Sequence, residues 1–221
     1  MSEWKRLPLE FTVVNFFTQS AYAPQAMPSG ALSVTEIRRR EDHKVLLGVN
    51  NSIGITDHQF VDAPVRLGIA LAAVCDPQTG FMLTEEVILQ LAASMHSGGN
   101  RLAIAPLGLG GHIDHLAVRA AATRKMTGRR LAFYEDLPYA TWSSESQVRE
   151  RVSEAEEATR VRLKPLIVRG SSSAANKRRV VSKYRSQITS AEATALSAWS
   201  DRFGGGERIW MPRHSSHWNF V

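Results

Sequence analysis

The apolar run Leu102-Ala103-Ile104-Ala105 passes at Pro106 into Leu-Gly-Leu-Gly-Gly and then into His112-Ile113-Asp114-His115. Four short residues of buried type, a glycine-rich turn and a polar helix start predict a strand, a site loop and a helix N-terminus in succession. That succession constrains the fold more than any other stretch, because a strand that feeds a helix through a tight turn belongs to a layered α/β architecture. His112 and His115 stand three residues apart, so on the first turn of a helix beginning near Ile113 both rings project toward one point. Asp114 between them is placed to fix the tautomer of one imidazole through a hydrogen bond. The same spacing suits polar residues that merely cap a helix, so the pattern leaves a metal or acid/base role and a capping role both open.

Around this stretch the chain alternates between strand-like and helix-like segments. Leu9 to Thr18 is rich in β-branched and aromatic residues and poor in polar ones, which predicts a strand covered on both faces. A loop over Gln19 to Gly30 follows, then a helix opened by the capping box Ser33-x-x-Glu36 and stopped at Gly48. Ile53 to Phe60 predicts a second strand and Asp62-Ala63-Pro64 a turn. Thr84 caps a helix to His96, Arg101 to Pro106 is the third strand, Ile113 to Thr127 the next helix, and Arg130 to Glu135 the fourth strand. Ser144-x-x-Gln147 opens a helix to Arg162 with a charged outer face, and Thr189-x-x-Glu192 opens the last one. Glu207 to Met211 predicts an edge strand. The order implies an α/β, Rossmann-like fold: a mostly parallel sheet with helices on both faces. A single domain over residues 1–221 is expected, with a core over 11–140, helical and edge elements over 141–211 and a tail over 212–221.

Composition narrows the function classes. The 221 residues include one cysteine, Cys75, so neither an internal disulfide nor a four-cysteine zinc site exists in this sequence, and the cytoplasm is the expected compartment. No run of about 18 apolar residues suggests a membrane span. The net charge of +6 is a modest excess spread over the chain. The basic cluster over Lys177 to Arg185 is short and interleaved only with Tyr184, which disfavours nucleic acid as a partner. Leu107 to Gly111 lacks the third glycine of a dinucleotide fingerprint, and no phosphate-cradling loop with its lysine is present, so nucleotide binding is disfavoured as well. In an open parallel sheet a ligand sits outside the carboxyl ends of the strands. Three polar clusters fall at such ends, Thr18-Gln19-Ser20, the His112 to His115 loop, and Glu135-Asp136 with Tyr139, and they are expected to converge.

These residues carry a resemblance. Pro106-Leu-Gly-Leu-Gly-Gly-His-Ile-Asp-His115 resembles the second metal motif of the PIG-L (LmbE-like) de-N-acetylase family. Thr18 to Pro24 is similar to the loop after that family's second strand, Arg38-Arg39-Arg40-Glu41-Asp42 to its arginine-acid helix, and Asp62 to Arg66 to the turn that follows. Phe133 to Ala140 is similar to its substrate-side loop, and Lys183 to Gln187 and Glu207 to Trp210 match near the C-terminus. The resemblance spans most of Phe11 to Trp210, and the ordered set is far more specific than any one motif.

Members of that family are mostly zinc hydrolases that remove an acetyl group from an N-acetylated sugar. The resemblance therefore implies a zinc-dependent amide hydrolase acting on a small-molecule N-acetylated sugar or glycoconjugate. By the same resemblance His115 would be a zinc ligand, His112 would stabilise the oxyanion or protonate the leaving amine, and Asp114 would orient a histidine. Arg66, Asp136 and Tyr139 would bind substrate. The sequence departs from the family in one place: the first motif, His-Pro-Asp-Asp after the first strand, has no counterpart, so two metal ligands and the catalytic aspartate are missing. The expectation is a fold without its first strand, with zinc held weakly or not at all, in a chain shortened at its N-terminus. The alternative is a noncatalytic carbohydrate- or partner-binding relative. Strand edges left open would also allow a homo-oligomer.

Overall fold

A computed structural model describes residues 10–26, 31–96, 101–169 and 174–213. In chain order the elements are β1 (Thr12–Asn15), α1 (Ala31–Val49), β2 (Gly54–Asp57), α2 (Ala63–Leu67), α3 (Pro77–Gly80), α4 (Glu85–Ser94), β3 (Ala103–Pro106), α5 (Ile113–Lys125), β4 (Leu131–Tyr134), α6 (Glu145–Thr159), β5 (Leu163–Val168), α7 (Ala174–Val181), α8 (Ser190–Asp201) and β6 (Glu207–Pro212). The chain is mixed α/β, and its contacts divide it into two compact units. One is formed by residues up to Leu71 together with Arg169–Gly206, the other by Ala72–Val168 together with the segment from Glu207. α7 and α8 belong to the first unit and β6 to the second.

In the first unit β1 and β2 pair in parallel, from Thr12 with Gly54 to Asn15 with Asp57, with α1 as their crossover. The strand expected to be covered on both faces is not. Residues of β1 alternate between exposed and half-buried, and Val14 is 40% exposed. An apolar run supplies the tendency to be buried, but coverage of both faces needs a layer packed on each, which the run itself does not encode. Helix α1 begins two residues before Ser33, so the serine expected to cap it lies inside the first turn. On α1, Arg38 donates to the Ser20 hydroxyl, and Glu41 accepts from the backbone amide and hydroxyl of Ser186 at 2.8 and 2.6 Å.

The second unit holds a four-stranded sheet in the order β3-β4-β6-β5. β3 and β4 are parallel, from Ala103 with Leu131 to Pro106 with Tyr134, as the alternation of strand and helix predicts. The rest corrects the mostly parallel expectation. β6 runs antiparallel to both neighbours and is an inner strand, not an edge. β5 was not anticipated from the sequence, because Lys164 and Pro165 interrupt its apolar pattern. As the outer strand of the sheet it tolerates a proline that an inner strand would reject.

α5 lies against β3 with Ala117 and Ala121, four residues apart, fully buried on its inner face, where side chains of one methyl let the helix approach the sheet closely. Leu107, Leu109, Ile113, Leu131 and Phe133 complete a core with almost no exposed surface. Burying a side chain of the size of Phe133 or Leu107 contributes about 1.5 to 3 kcal/mol. α6 and α8 open with complete capping boxes, Ser144 with Gln147 and Thr189 with Glu192, as the sequence predicts. Among the described residues no helix is long and apolar enough to cross a membrane. His214, His217 and Trp218 of the tail lie outside the described residues.

Candidate functional site

The histidine loop is built at the carboxyl ends of β3 and β4. Leu107 extends the ladder by donating to the Tyr134 carbonyl at 2.9 Å, and the chain then turns through Gly108, Gly110 and Gly111, all with positive φ. Asp136, two residues beyond β4, is fully buried, and its Oδ2 accepts from the backbone amides of Gly108 at 2.8 Å and Leu109 at 3.0 Å. The Leu107 carbonyl is taken by Nη1 of Arg119 at 2.9 Å, and Arg119 in turn pairs with Glu154 of α6. A buried carboxylate thus holds the loop's amides while an arginine from the following helix holds its carbonyl. Burial pulls the Glu154 carboxyl up, but the Arg119 and Arg151 guanidinium groups outweigh this and keep it below its ordinary value.

Glycine at 110 is a requirement of the site. A Cβ there would lie 2.5 Å from Cδ1 of Tyr139, and the residue has φ 69°. The bare backbone lets the tyrosine ring lie directly over the loop, where it meets both histidines: its centroid is 5.7 Å from His112 and 5.5 Å from His115. The two imidazoles are 4.8 Å apart. The Cys75 thiol is pushed up by burial, with a hydrogen bond from Tyr139 acting in the opposite direction.

The two rings have different neighbours. His112 is the N-cap of α5, and its Nδ1 accepts from the Asp114 amide at 3.2 Å, so the proton of the neutral ring sits on Nε2. The capping role is therefore realised for His112, and it fixes the ring. His115 presents Nδ1 to Oδ1 of Asp136 at 2.8 Å. The N–H direction is off line, so neither atom has a well-aligned partner, but a lone pair on Nδ1 would face a carboxylate, and the proton is placed there instead. Nε2 of His115 is then the basic nitrogen. Asp136 has the place expected of Asp114, as the carboxylate behind a histidine, and with no exposed surface it is not positioned to meet a sugar hydroxyl. Asp114 itself is buried in the first turn of α5.

Of the other residues anticipated from the sequence, Arg66 belongs to the first unit, where it donates to the Val61 carbonyl at 2.6 Å and stacks over Phe17. Thr18, Gln19 and Ser20 also belong to that unit, with Ser20 buried between Thr35 and Arg38. Sequence reasoning missed Arg119 and Trp142. Arg119 had a signal: it stands four residues after His115, on the same face of α5. The described residues include no group of three or more histidine, cysteine, aspartate or glutamate side chains that could hold a metal ion. A catalytic zinc uses about three protein ligands. The two imidazoles do not make that centre by themselves.

No family model matches this sequence. Over 136 residues it is 29% identical to 2'-N-acetylparomamine deacetylase of Streptomyces fradiae, a match that covers 60% of this chain and 49% of the relative. The chain thus spans about half the length of the curated relative it matches. Two solved structures share the fold. One, an antimicrobial pseudoaglycone deacetylase, is 21% identical with a TM-score of 0.57, covering 94% of this chain and 86% of its own. The other, a deacetylase of teicoplanin biosynthesis, is 22% identical with a TM-score of 0.58, covering 90% and 85%. The described architecture is the fold of these deacetylases.

Proposed function

We propose that this chain carries the acid/base half of an amide hydrolase that removes the acetyl group from an N-acetylated sugar. The observation that carries the reading is the His112–His115 pair, two imidazoles 4.8 Å apart, one capping α5 through Nδ1 and the other with Nδ1 2.8 Å from a buried carboxylate. The fold shared with deacetylases and the stretch similar to an N-acetyl deacetylase support the substrate class.

The chemistry follows from the tautomers. Nε2 of His115, with Asp136 behind the ring, takes a proton as water attacks the acetamide carbonyl carbon. The imidazolium so formed is stabilised by the Asp136 carboxylate. Nε2–H of His112 donates to the carbonyl oxygen as it gains negative charge. When the tetrahedral species collapses, the C–N bond breaks, the amine leaves with the proton held by His115, and acetate remains. Tyr139, lying against both rings, limits how the acetamide enters between them. A metal bound beside these residues would add polarisation of the carbonyl, and its ligands would have to include donors beyond the two histidines.

The test is acetate release from N-acetylglucosamine with the wild type and the two histidine variants. His115→Ala is expected to abolish turnover. His112→Ala is expected to lower kcat by roughly 10² to 10³ with KM nearly unchanged, the scale of removing one oxyanion donor. Full rate in both variants would remove the hydrolase reading from this loop.

A further inference from the structure

Trp142 is one of five tryptophans in the chain, and it is 68% exposed although it is the residue type with most to gain from burial. Its position is nevertheless fixed. The indole stands edge-to-face against Tyr139, with centroids 5.8 Å apart and planes at 88°. Its amide donates to the Tyr139 carbonyl at 3.1 Å, the hydroxyl of Ser143 donates to the same carbonyl at 3.0 Å, and the hydroxyl of Thr141 donates to Pro138 at 2.7 Å. Ser144 then opens α6 with a capping box, so the backbone is tied on both sides of the indole. The sequence of constraints begins at Gly110, whose missing side chain seats Tyr139, which seats Trp142. An exposed apolar surface held in place by its neighbours is unlike an exposed side chain that merely found no room inside. It costs little conformational entropy to bind against.

We infer that Trp142 is the sugar platform of this site: the apolar face of the substrate's pyranose ring lies on the indole while the acetamide reaches past Tyr139 toward His112 and His115. The inference rests on the proposed hydrolase reading and adds the residue that selects a sugar ring over other acetamides. The chemistry fits both ends. One face of a pyranose presents C–H groups that pack on an aromatic ring, and indole is the largest such surface a protein has. The acetyl group needs no part of it.

The experiment compares wild type, Trp142→Phe and Trp142→Ala on two probes, N-acetylglucosamine and acetamide, the second having the amide without the ring. Binding is read from tryptophan fluorescence and turnover from acetate release. N-acetylglucosamine is expected to perturb the wild-type fluorescence saturably and to leave that of Trp142→Phe nearly unperturbed. In Trp142→Ala the KM for N-acetylglucosamine is expected to rise about tenfold with kcat held, the scale of one aromatic contact, with Trp142→Phe in between. The kinetics on acetamide are expected to stay unchanged in both variants. If the sugar is turned over equally well by wild type and Trp142→Ala, the platform is overturned while the hydrolase reading stands. If the sugar quenches Trp142 but no acetate is released, the platform stands and the hydrolase reading fails. A loss of turnover on both probes in Trp142→Ala would assign the indole to holding Tyr139 in place and would also overturn the platform.

Discussion

Nδ1 of His115 lies 2.8 Å from Oδ1 of Asp136, and the carboxylate is fully buried while the imidazole is 30% exposed. In the proposed hydrolase this geometry leaves Nδ1 facing inward to the carboxylate and Nε2 for the substrate. Asp136→Asn keeps an oxygen for the amides of Gly108 and Leu109 but turns an N–H toward His115 and reverses its tautomer. The expected outcome is a kcat lowered by about 10³ to 10⁴ with a melting temperature within a few degrees of wild type. Kinetics and thermal melting measured on one preparation check it, and an unchanged kcat would remove His115 from the role of base.

Gly110→Ala tests the seat of Tyr139. The new methyl would stand 2.5 Å from the tyrosine ring, at a φ of 69° that alanine adopts poorly. A loss of stability of about 1 to 3 kcal/mol from overpacking is expected. Activity should fall further than Tyr139→Phe lowers it, because the whole ring moves. Urea denaturation with parallel acetate-release assays distinguishes the two variants.

Arg208 supports the same end of the sheet from β6. It donates to Glu135, which is buried and also accepts from Nε1 of Trp210 at 3.0 Å, and it forms a bidentate pair with Glu145 of α6 at 2.7 and 3.0 Å. Arg208→Met leaves the Glu135 carboxylate buried without its cation, so a destabilisation of about 3 to 5 kcal/mol is expected. Arg208→Met combined with Glu135→Gln should recover part of it, and equilibrium unfolding of the single and double variants measures how much.

Asp42 gives the first unit a pH dependence. Burial raises its carboxyl to about 6, against the pull of Arg38 and with a further push from Asp57 and Glu41, and the Tyr184 hydroxyl is hydrogen-bonded to it. The folded state therefore holds this proton more tightly than the unfolded chain, whose value is about 3.9. The stability linked to it is complete below about pH 4 and is lost as pH rises through about 6. Asp42→Asn keeps an acceptor for Tyr184 without the charge. The variant should be more stable than wild type at pH 7 by on the order of 1 to 3 kcal/mol, and the difference should vanish near pH 4. Urea melts at pH 4, 5, 6 and 7 give the profile.

Local chemistry was legible in the sequence. The boxes at Ser144 and Thr189 bond atoms three residues apart, so their spacing states the bond. The same is true of the loop from Pro106 to His115, where the glycines predict the turn and the i,i+3 spacing of the histidines predicts their proximity. Leu107 to Ile113 and the alternation of strands with helices point to an α/β architecture from the sequence pattern alone.

What the sequence left open was decided by partners distant in the chain. Asp114 stands between the histidines in sequence and Asp136 beyond β4, but the fold brings the carboxylate of Asp136 to amides 28 and 27 residues away and sets it behind His115. No periodicity records that contact, because a buried carboxylate finds its donors through tertiary packing. β6 carries the composition of an outer strand, yet it lies between β4 and β5, since an antiparallel ladder on each side satisfies its backbone groups whatever its side chains. Trp142 is another case. Its residue type predicts burial, and what holds it in the open is the backbone geometry of Pro138 to Ser144 and a tyrosine seated on a glycine. The sequence by itself determined which residues form the loop and where α4, α5, α6 and α8 begin. His112 is oriented by a bond two residues away, whereas the carboxylate that faces Nδ1 of His115 was brought there only by the tertiary fold.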